Sequence, residues 1–260
     1  MGFNRDMLLY YLIKEKRGVV MKIEVWSDYV CPFCYIGKRR LEEALSQFPH
    51  KDQVEVEFKS FELDPNSPVY SGQNIHEVLA KKYGMSIEQA IQANHGVGQQ
   101  AATVGLTFKF DEMKPTNTFD AHRLAKFAMT KGKGAVLSEK LLQAYFTESK
   151  HIGDVVTLAD IAEDSGLDRQ EVIAVLNDKT AYANEVRADE GIAQQYRIGG
   201  VPYFIINSKY AISGAQPLET FKGALQRVWE EESLEPVLQD LSTDEDVSCA
   251  DGSCVIPEKN

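Results

Sequence analysis

Cysteine is scarce in this chain and unevenly placed. Four occur in 260 residues, as Cys31-x-x-Cys34 near the start and Cys249-x4-Cys254 near the end, with none between the two pairs. So few cannot staple a small secreted scaffold, and a chain of this length can bury enough core to do without staples. Long apolar runs are also missing. No stretch approaches the roughly 20 apolar residues that span a bilayer, so no membrane partner is expected. Positive charge is in deficit, with 28 Lys and Arg against 39 Asp and Glu for a net charge of -11. Affinity for a phosphate backbone comes from basic side chains replacing counterions, so nucleic acid is not an expected partner either. There is no P-loop, dinucleotide-binding fingerprint or Gly-x-Ser-x-Gly elbow. The five histidines, His50, His76, His95, His122 and His151, form no His-x3-His pair and none adjoins a cysteine. Each reads as a surface or packed residue, and the carboxylates read as solvated faces.

What is present is ordinary for a folded protein: 43% hydrophobic and 26% charged residues, far from the signature of disorder. Residues 1–20 (MGFNRDMLLYYLIKEKRGVV) carry a short apolar run, Met7 to Ile13, followed by Lys-Glu-Lys-Arg instead of a small-residue cleavage site. They are read as an N-terminal extension or a short docking helix, and a cytoplasmic location is expected. Close cysteine pairs in that setting point to redox catalysis or metal binding.

The context of the first pair favours redox chemistry. Lys22 to Trp26 (KIEVW) alternates polar and apolar residues and predicts a strand, while Ile36, Leu41, Ala44, Leu45 and Phe48 recur near the helical period up to Pro49. The order is strand, Cys-Pro-Phe-Cys, helix. Val54 to Leu63 predicts a second strand, ended by Asp64-Pro65-Asn66. From about Asn74 to Tyr196 strand signals nearly vanish, and four to six helices are expected. Asn74-x-x-Glu77, Ser86-x-x-Gln89 and Asp168-x-x-Glu171 mark starts, and Gly84, Gly105, Gly132 and Gly166 mark stops. Asn117–Thr130 and Val136–Ser149 are the clearest of these helices. Strands resume at Tyr203–Asn207 and Tyr210–Ser213 around a turn at Ser208-Lys209, and a last amphipathic helix covers about Pro217–Glu232.

A cysteine at a helix amino end meets unpaired amide groups and the positive end of the macrodipole, both of which favour thiolate. Cys31 is therefore the expected nucleophile, with Pro32 suited to the first turn. Cys34, one turn on, is expected to face inward and resolve the mixed disulfide. Phe33, unlike a histidine, can give the thiolate neither a hydrogen bond nor a charge, so a less oxidising pair is expected than in Cys-Pro-His-Cys proteins.

Together with Gly199-Gly200-Val201-Pro202 before the third strand, this order resembles the DsbA family of thiol-disulfide oxidoreductases. "SDYVCPFCYIGK", "NTFDAHRL", "IGGVPYFIIN" and "ISGAQP" are similar to its FrnE-like branch, a relative of 2-hydroxychromene-2-carboxylate isomerases and kappa-class glutathione transferases. The resemblance implies an α/β, thioredoxin-like fold with a large all-helical insertion: residues 21–72 and 190–234 in the thioredoxin-like domain, 73–189 in the insertion and 235–260 in a C-terminal tail. It also implies a cis bond at Val201-Pro202 in a loop beside the cysteines, where Val201, Pro202 and Phe33 would meet substrate.

Cys249 and Cys254 lie in SCADGSCVIP, whose Asp251-Gly252 allows a tight turn between them. A tail of low apolar content has no packing reason to hold two cysteines, so an auxiliary redox pair is expected there. The implied partners are protein thiols and disulfides, and a recycling reductant or oxidant such as thioredoxin or glutathione. No cofactor is expected beyond the redox-active disulfide itself, with glutathione a candidate co-substrate. Two competing readings are a glutathione-dependent isomerase or transferase of small molecules, and a zinc-binding or holdase-like protein without catalysis.

Overall fold

The computed structural model describes residues 21–232. Its centre is a four-stranded sheet in the order β2-β1-β3-β4, built from β1 (Met21–Ser27), β2 (Val54–Ser60), β3 (Tyr203–Ile206) and β4 (Tyr210–Ser213). β1 and β2 run parallel, with Met21 opposite Val54 and Ser27 opposite Ser60. Such a pair needs a crossover, and α1 (Pro32–Ser46) supplies it. β3 is antiparallel to both β1 and β4. The β3–β4 turn centres on Asn207 and Ser208, both at positive φ. It therefore falls one residue earlier than Ser208-Lys209, because paired positive φ values match the strand twist in a tight hairpin. β2 ends at Ser60 and not at Leu63: the Ser60 and Leu63 amides are taken by the side chains of Asp189 and Asp28.

Strand alternation sorts the core into two faces. Met21, Ile23 and Val25 join Phe204, Ile206 and Ile212 beneath Leu41, Ala44 and Phe48 of α1 and Phe221, Leu225 and Val228 of α9 (Leu218–Glu232). The opposite parity, Trp26 and Ile205, packs with Ala193 and Ile198.

Between β2 and β3 run seven helices, more than the four to six expected: α2 (Ile75–Tyr83), α3 (Ile87–Ala102), α4 (Phe119–Thr130), α5 (Gly134–Phe146), α6 (Val155–Asp164), α7 (Arg169–Asn177) and α8 (Ala183–Gln195). Asn74, Ser86 and Asp168 each accept the amide three residues on, as N-caps do. α8 begins instead at Tyr182, in the left-handed region and with no side-chain cap, so nothing local announces it. The expected boundary at 189/190 lies inside α8, which has no break there and carries Ala193 onto Trp26. The helices enclose a second core, including Leu124, Leu137, Leu141, Phe146, Leu158 and Leu176, into which α1 inserts Tyr35 and Ile36. α1 thus belongs to both cores, with the cysteines at its amino end.

Candidate active site

Topology brings the site together. Because β1 and β3 are antiparallel with Trp26 opposite Tyr203, the carboxyl end of β1 and the amino end of β3 lie side by side. The chain leaving β1 enters α1 through Cys31, and the chain entering β3 arrives through Val201-Pro202. Cys31 is the N-cap of α1 in extended conformation, Pro32 opens the helix, and no acidic side chain in the first turn offsets the helix dipole. The Cys31 thiol donates to the Val201 carbonyl at 3.5 Å, and the Val201–Pro202 bond is cis. α1 approaches this loop closely at Gly37, where a Cβ would stand 3.1 Å from Pro202 Cγ.

Cys31 and Cys34 are both free thiols, but their surroundings differ. Cys31, 4% exposed, is reached through a cavity of about 420 Å³ that it lines with Phe33, Val201 and the apolar residues Leu63, Ile75, Leu79, Phe110 and Met113. Cys34, one turn further in, does not line it. Burial, and then the neighbouring Cys31 sulfur, push the Cys34 thiol well above its ordinary range, against smaller opposing contacts from Ser27 and the Asp28 amide. One sulfur therefore faces the cavity and the other stays protonated behind it. Phe33 is 37% exposed at the cavity mouth.

The carboxylates correct the reading of them as solvated faces. Asp28, Glu62 and Asp189 are buried, and each is compensated, as buried charges must be. Asp28 accepts the Leu63 amide at 2.8 Å and meets His122 Nε2 at 3.3 Å. Glu62 pairs with Arg187 at 2.6 Å, and Asp189 takes the Ser60 amide together with Lys126. Asp28, on the same cavity as Cys31, and His122 bonded to it are not among the residues that the sequence singles out for the site. Asp28 stands three residues before Cys31, which is its local signal, and His122 falls within NTFDAHRL with nothing local to single it out. Cys249 and Cys254 lie outside the described residues. No helix among the described residues is long and apolar enough to cross a membrane.

The comparisons agree with this geometry. The profile of the family described as "DSBA-like thioredoxin domain" matches residues 22–226. The protein YwbO of Bacillus subtilis (strain 168) is 33% identical over 208 residues, covering 80% of this chain and 96% of its own. A probable DsbA oxidoreductase of Streptomyces coelicolor, known from its crystal structure, is 40% identical with a TM-score of 0.79 over 92% of this chain and 100% of that one. A 2-hydroxychromene-2-carboxylate isomerase shares the fold at 15% identity, with a TM-score of 0.62 over 82% of this chain and 98% of its own. The chain belongs to the DsbA-like thioredoxin family, the family of thiol-disulfide oxidoreductases.

Proposed function

We propose that Cys31 and Cys34 are the redox pair, and that they exchange disulfides with polypeptide substrates. The observation that carries this reading is the pairing of a cavity-facing Cys31, bonded to the Val201 carbonyl, with a buried Cys34 one helical turn behind it. In the reducing direction the Cys31 thiolate attacks a substrate disulfide and one substrate sulfur departs. Cys34 then attacks Cys31, releases the second sulfur and leaves the enzyme as a disulfide. A thiol donor such as glutathione or thioredoxin restores the pair. In the thiol form Val201 O is occupied by the Cys31 S–H, so ionisation of Cys31 frees that carbonyl for an amide of an extended substrate. Phe33 and Leu63 at the mouth meet the flanking side chains.

The buried second thiol favours this reading over a glutathione-dependent isomerase, whose chemistry needs no resolving sulfur. Cys249 and Cys254 serve as an auxiliary pair that exchanges with Cys31 and Cys34, a role supported by their close spacing in a tail of low apolar content.

The test is insulin disulfide reduction by wild type, Cys31→Ser, Cys34→Ser and Cys249→Ser/Cys254→Ser. Turnover is expected to vanish in Cys31→Ser and to stall at a trapped mixed disulfide in Cys34→Ser; the tail variant should keep turnover at an altered rate. A wild type with free thiols and no turnover on insulin or other protein disulfides would overturn the reading.

A further inference from the structure

β2 is the last strand on its side of the sheet. It pairs with β1 alone, in parallel, with Met21 opposite Val54 and Val25 opposite Phe58. The Ser60 amide is taken by Asp189, on the side away from β1. Backbone direction alternates along a strand, so the N–H and C=O groups of Val56 and Phe58 point outward too. Among the described residues they meet no partner on that side. A cavity of about 330 Å³ runs beside this edge, with β2 from Glu55 to Ser60 as one wall and Ala125, Met129, Gly134 and Ala135 of α4 and α5 in the other. Small residues keep that facing wall back, and Met129 stands 37% exposed in it. An unpaired edge beside a trench is the shape that accepts one more strand.

The edge also indicates what that strand carries. Glu55 and Glu57 alternate along it with Val56 and Phe58. Glu57 is shared with Lys22 and Lys59, whereas Glu55 is exposed and has no ion pair among the described residues. A second copy of the same edge would bring carboxylates toward carboxylates, which destabilises a strand pair. A basic segment suits it, and the chain has one at hand. Residues 1–20 lead directly into Met21, which lies opposite the first residue of β2. They hold Lys14, Lys16 and Arg17 directly after the apolar run Met7–Ile13.

We propose that residues 12–17 add to the outer edge of β2 as an antiparallel fifth strand. Placing Lys16 opposite Glu55 fixes the register: Lys14 then meets Glu57, Ile13 meets Phe58, and Leu12 meets Lys59 on the face toward Met129. The lysines are two apart, as the glutamates are, so both pairs form together. This register leaves Gly18, Val19 and Val20 to cross beneath β2 to β1. The crossing covers two strand spacings, roughly 10 Å, within reach of the four steps from Arg17 to Met21 at about 3.3 Å each. Val56 and Phe58 exchange backbone hydrogen bonds with Glu15 and Ile13, and the lysine–glutamate pairs fall at the positions between, where side chains of antiparallel strands stand closest. Pairing stops at Ser60, whose amide Asp189 already holds. The added strand uses neither cysteine of the first pair and stands apart from the redox assignment.

Hydrogen exchange of the full-length protein, read by NMR at the Val56 and Phe58 amides, tests this. Glu57, whose backbone faces β1, is the internal reference, and both amides are expected to exchange about as slowly. Ile13→Pro removes a donor from the added strand and is expected to speed both about tenfold or more relative to Glu57. Lys16→Glu should speed them about threefold, and Glu55→Lys in the same chain should restore them. Asn4→Pro, outside the register, should change nothing and is the control. Wild-type Val56 and Phe58 amides that exchange as unprotected ones do would overturn the proposal, as would protection that Ile13→Pro leaves intact or that Asn4→Pro removes equally. Protection that rises with protein concentration would give the edge to a second copy and overturn it too. Failure of Glu55→Lys to rescue Lys16→Glu would overturn the register.

Discussion

Phe33 sits between the two cysteines and brings Cys31 no donor. Replacing it by histidine supplies an N–H and, when protonated, a charge beside the sulfur that becomes anionic on reduction. Favouring the reduced form makes the pair more oxidising, so Phe33→His is expected to raise the reduction potential by about 30 mV or more, the equivalent of roughly 1.4 kcal/mol. Equilibration against glutathione redox buffers measures it, and an unchanged potential would mean that the helix terminus alone sets the poise. Burial of Cys34 gives a second expectation. A thiol pushed above its ordinary range is protonated near neutrality, so Cys34 in Cys31→Ser should be alkylated at least about tenfold more slowly than Cys31 in Cys34→Ser. Mass spectrometry after timed iodoacetamide treatment reads both. The cysteine pair was legible because its spacing and the helix that follows are local. The Asp28–His122 contact joins residues 94 apart in sequence, and no local pattern encodes a pairing made only when the helical block folds back over the sheet.

At the scale of elements, α1 carries the site because it touches everything that defines it: the sheet through Leu41 and Ala44, the helical core through Tyr35 and Ile36, and the Val201-Pro202 loop through Gly37. Gly37 has an ordinary helical backbone; its constraint is space. An added Cβ would lie 3.1 Å from Pro202 Cγ and 3.2 Å from Phe204 Cζ, so alanine demands a shift of a few tenths of an ångström, partly offset by its better helix propensity. A branched side chain has no such room. Gly37→Val is expected to lose about 1 to 3 kcal/mol of stability and to slow insulin reduction by displacing the loop, whereas Gly37→Ala stays near wild type in both. Urea unfolding and turnover on the same samples check this; a Gly37→Val protein of wild-type stability and rate would show that the loop yields freely. The strands and most helix starts were legible from alternation and caps such as Asn74, Ser86 and Asp168. α8 was not, because its start at Tyr182 rests on tertiary packing.

Across the whole molecule, sheet and helical block are joined by polar contacts as well as by α1. Glu139 of α5 accepts hydrogen bonds from Tyr35, Lys38 and Arg39 of α1, with the Tyr35 contact at 2.7 Å. Burial alone would push the Glu139 carboxyl up, but the hydrogen bonds from Lys38 and Tyr35 and the charges of Lys38 and Arg39 outweigh it and hold the carboxyl below its ordinary range. A carboxyl lowered by folding contributes stability that is fully present above its unfolded value, here near 4.5. That contribution disappears as pH falls through the lower, folded value. Glu139→Gln is therefore expected to cost about 1 to 2 kcal/mol at neutral pH, the range for losing hydrogen bonds to a charged group at a partly solvated site. Its stability curve should converge on that of wild type as pH drops below the usual glutamate range. Urea unfolding at a series of pH values reads the difference directly. A gap that stays constant down to the lowest pH would assign the contribution to packing of the α1–α5 seam and not to charge. The same variant bears on function, since Lys38 and Tyr35 lie on the helix that presents Cys31. If the clamp fixes the angle of α1, Glu139→Gln should slow disulfide exchange at neutral pH, where the clamp is intact in wild type, and approach the wild-type rate in acid, where both proteins lack it.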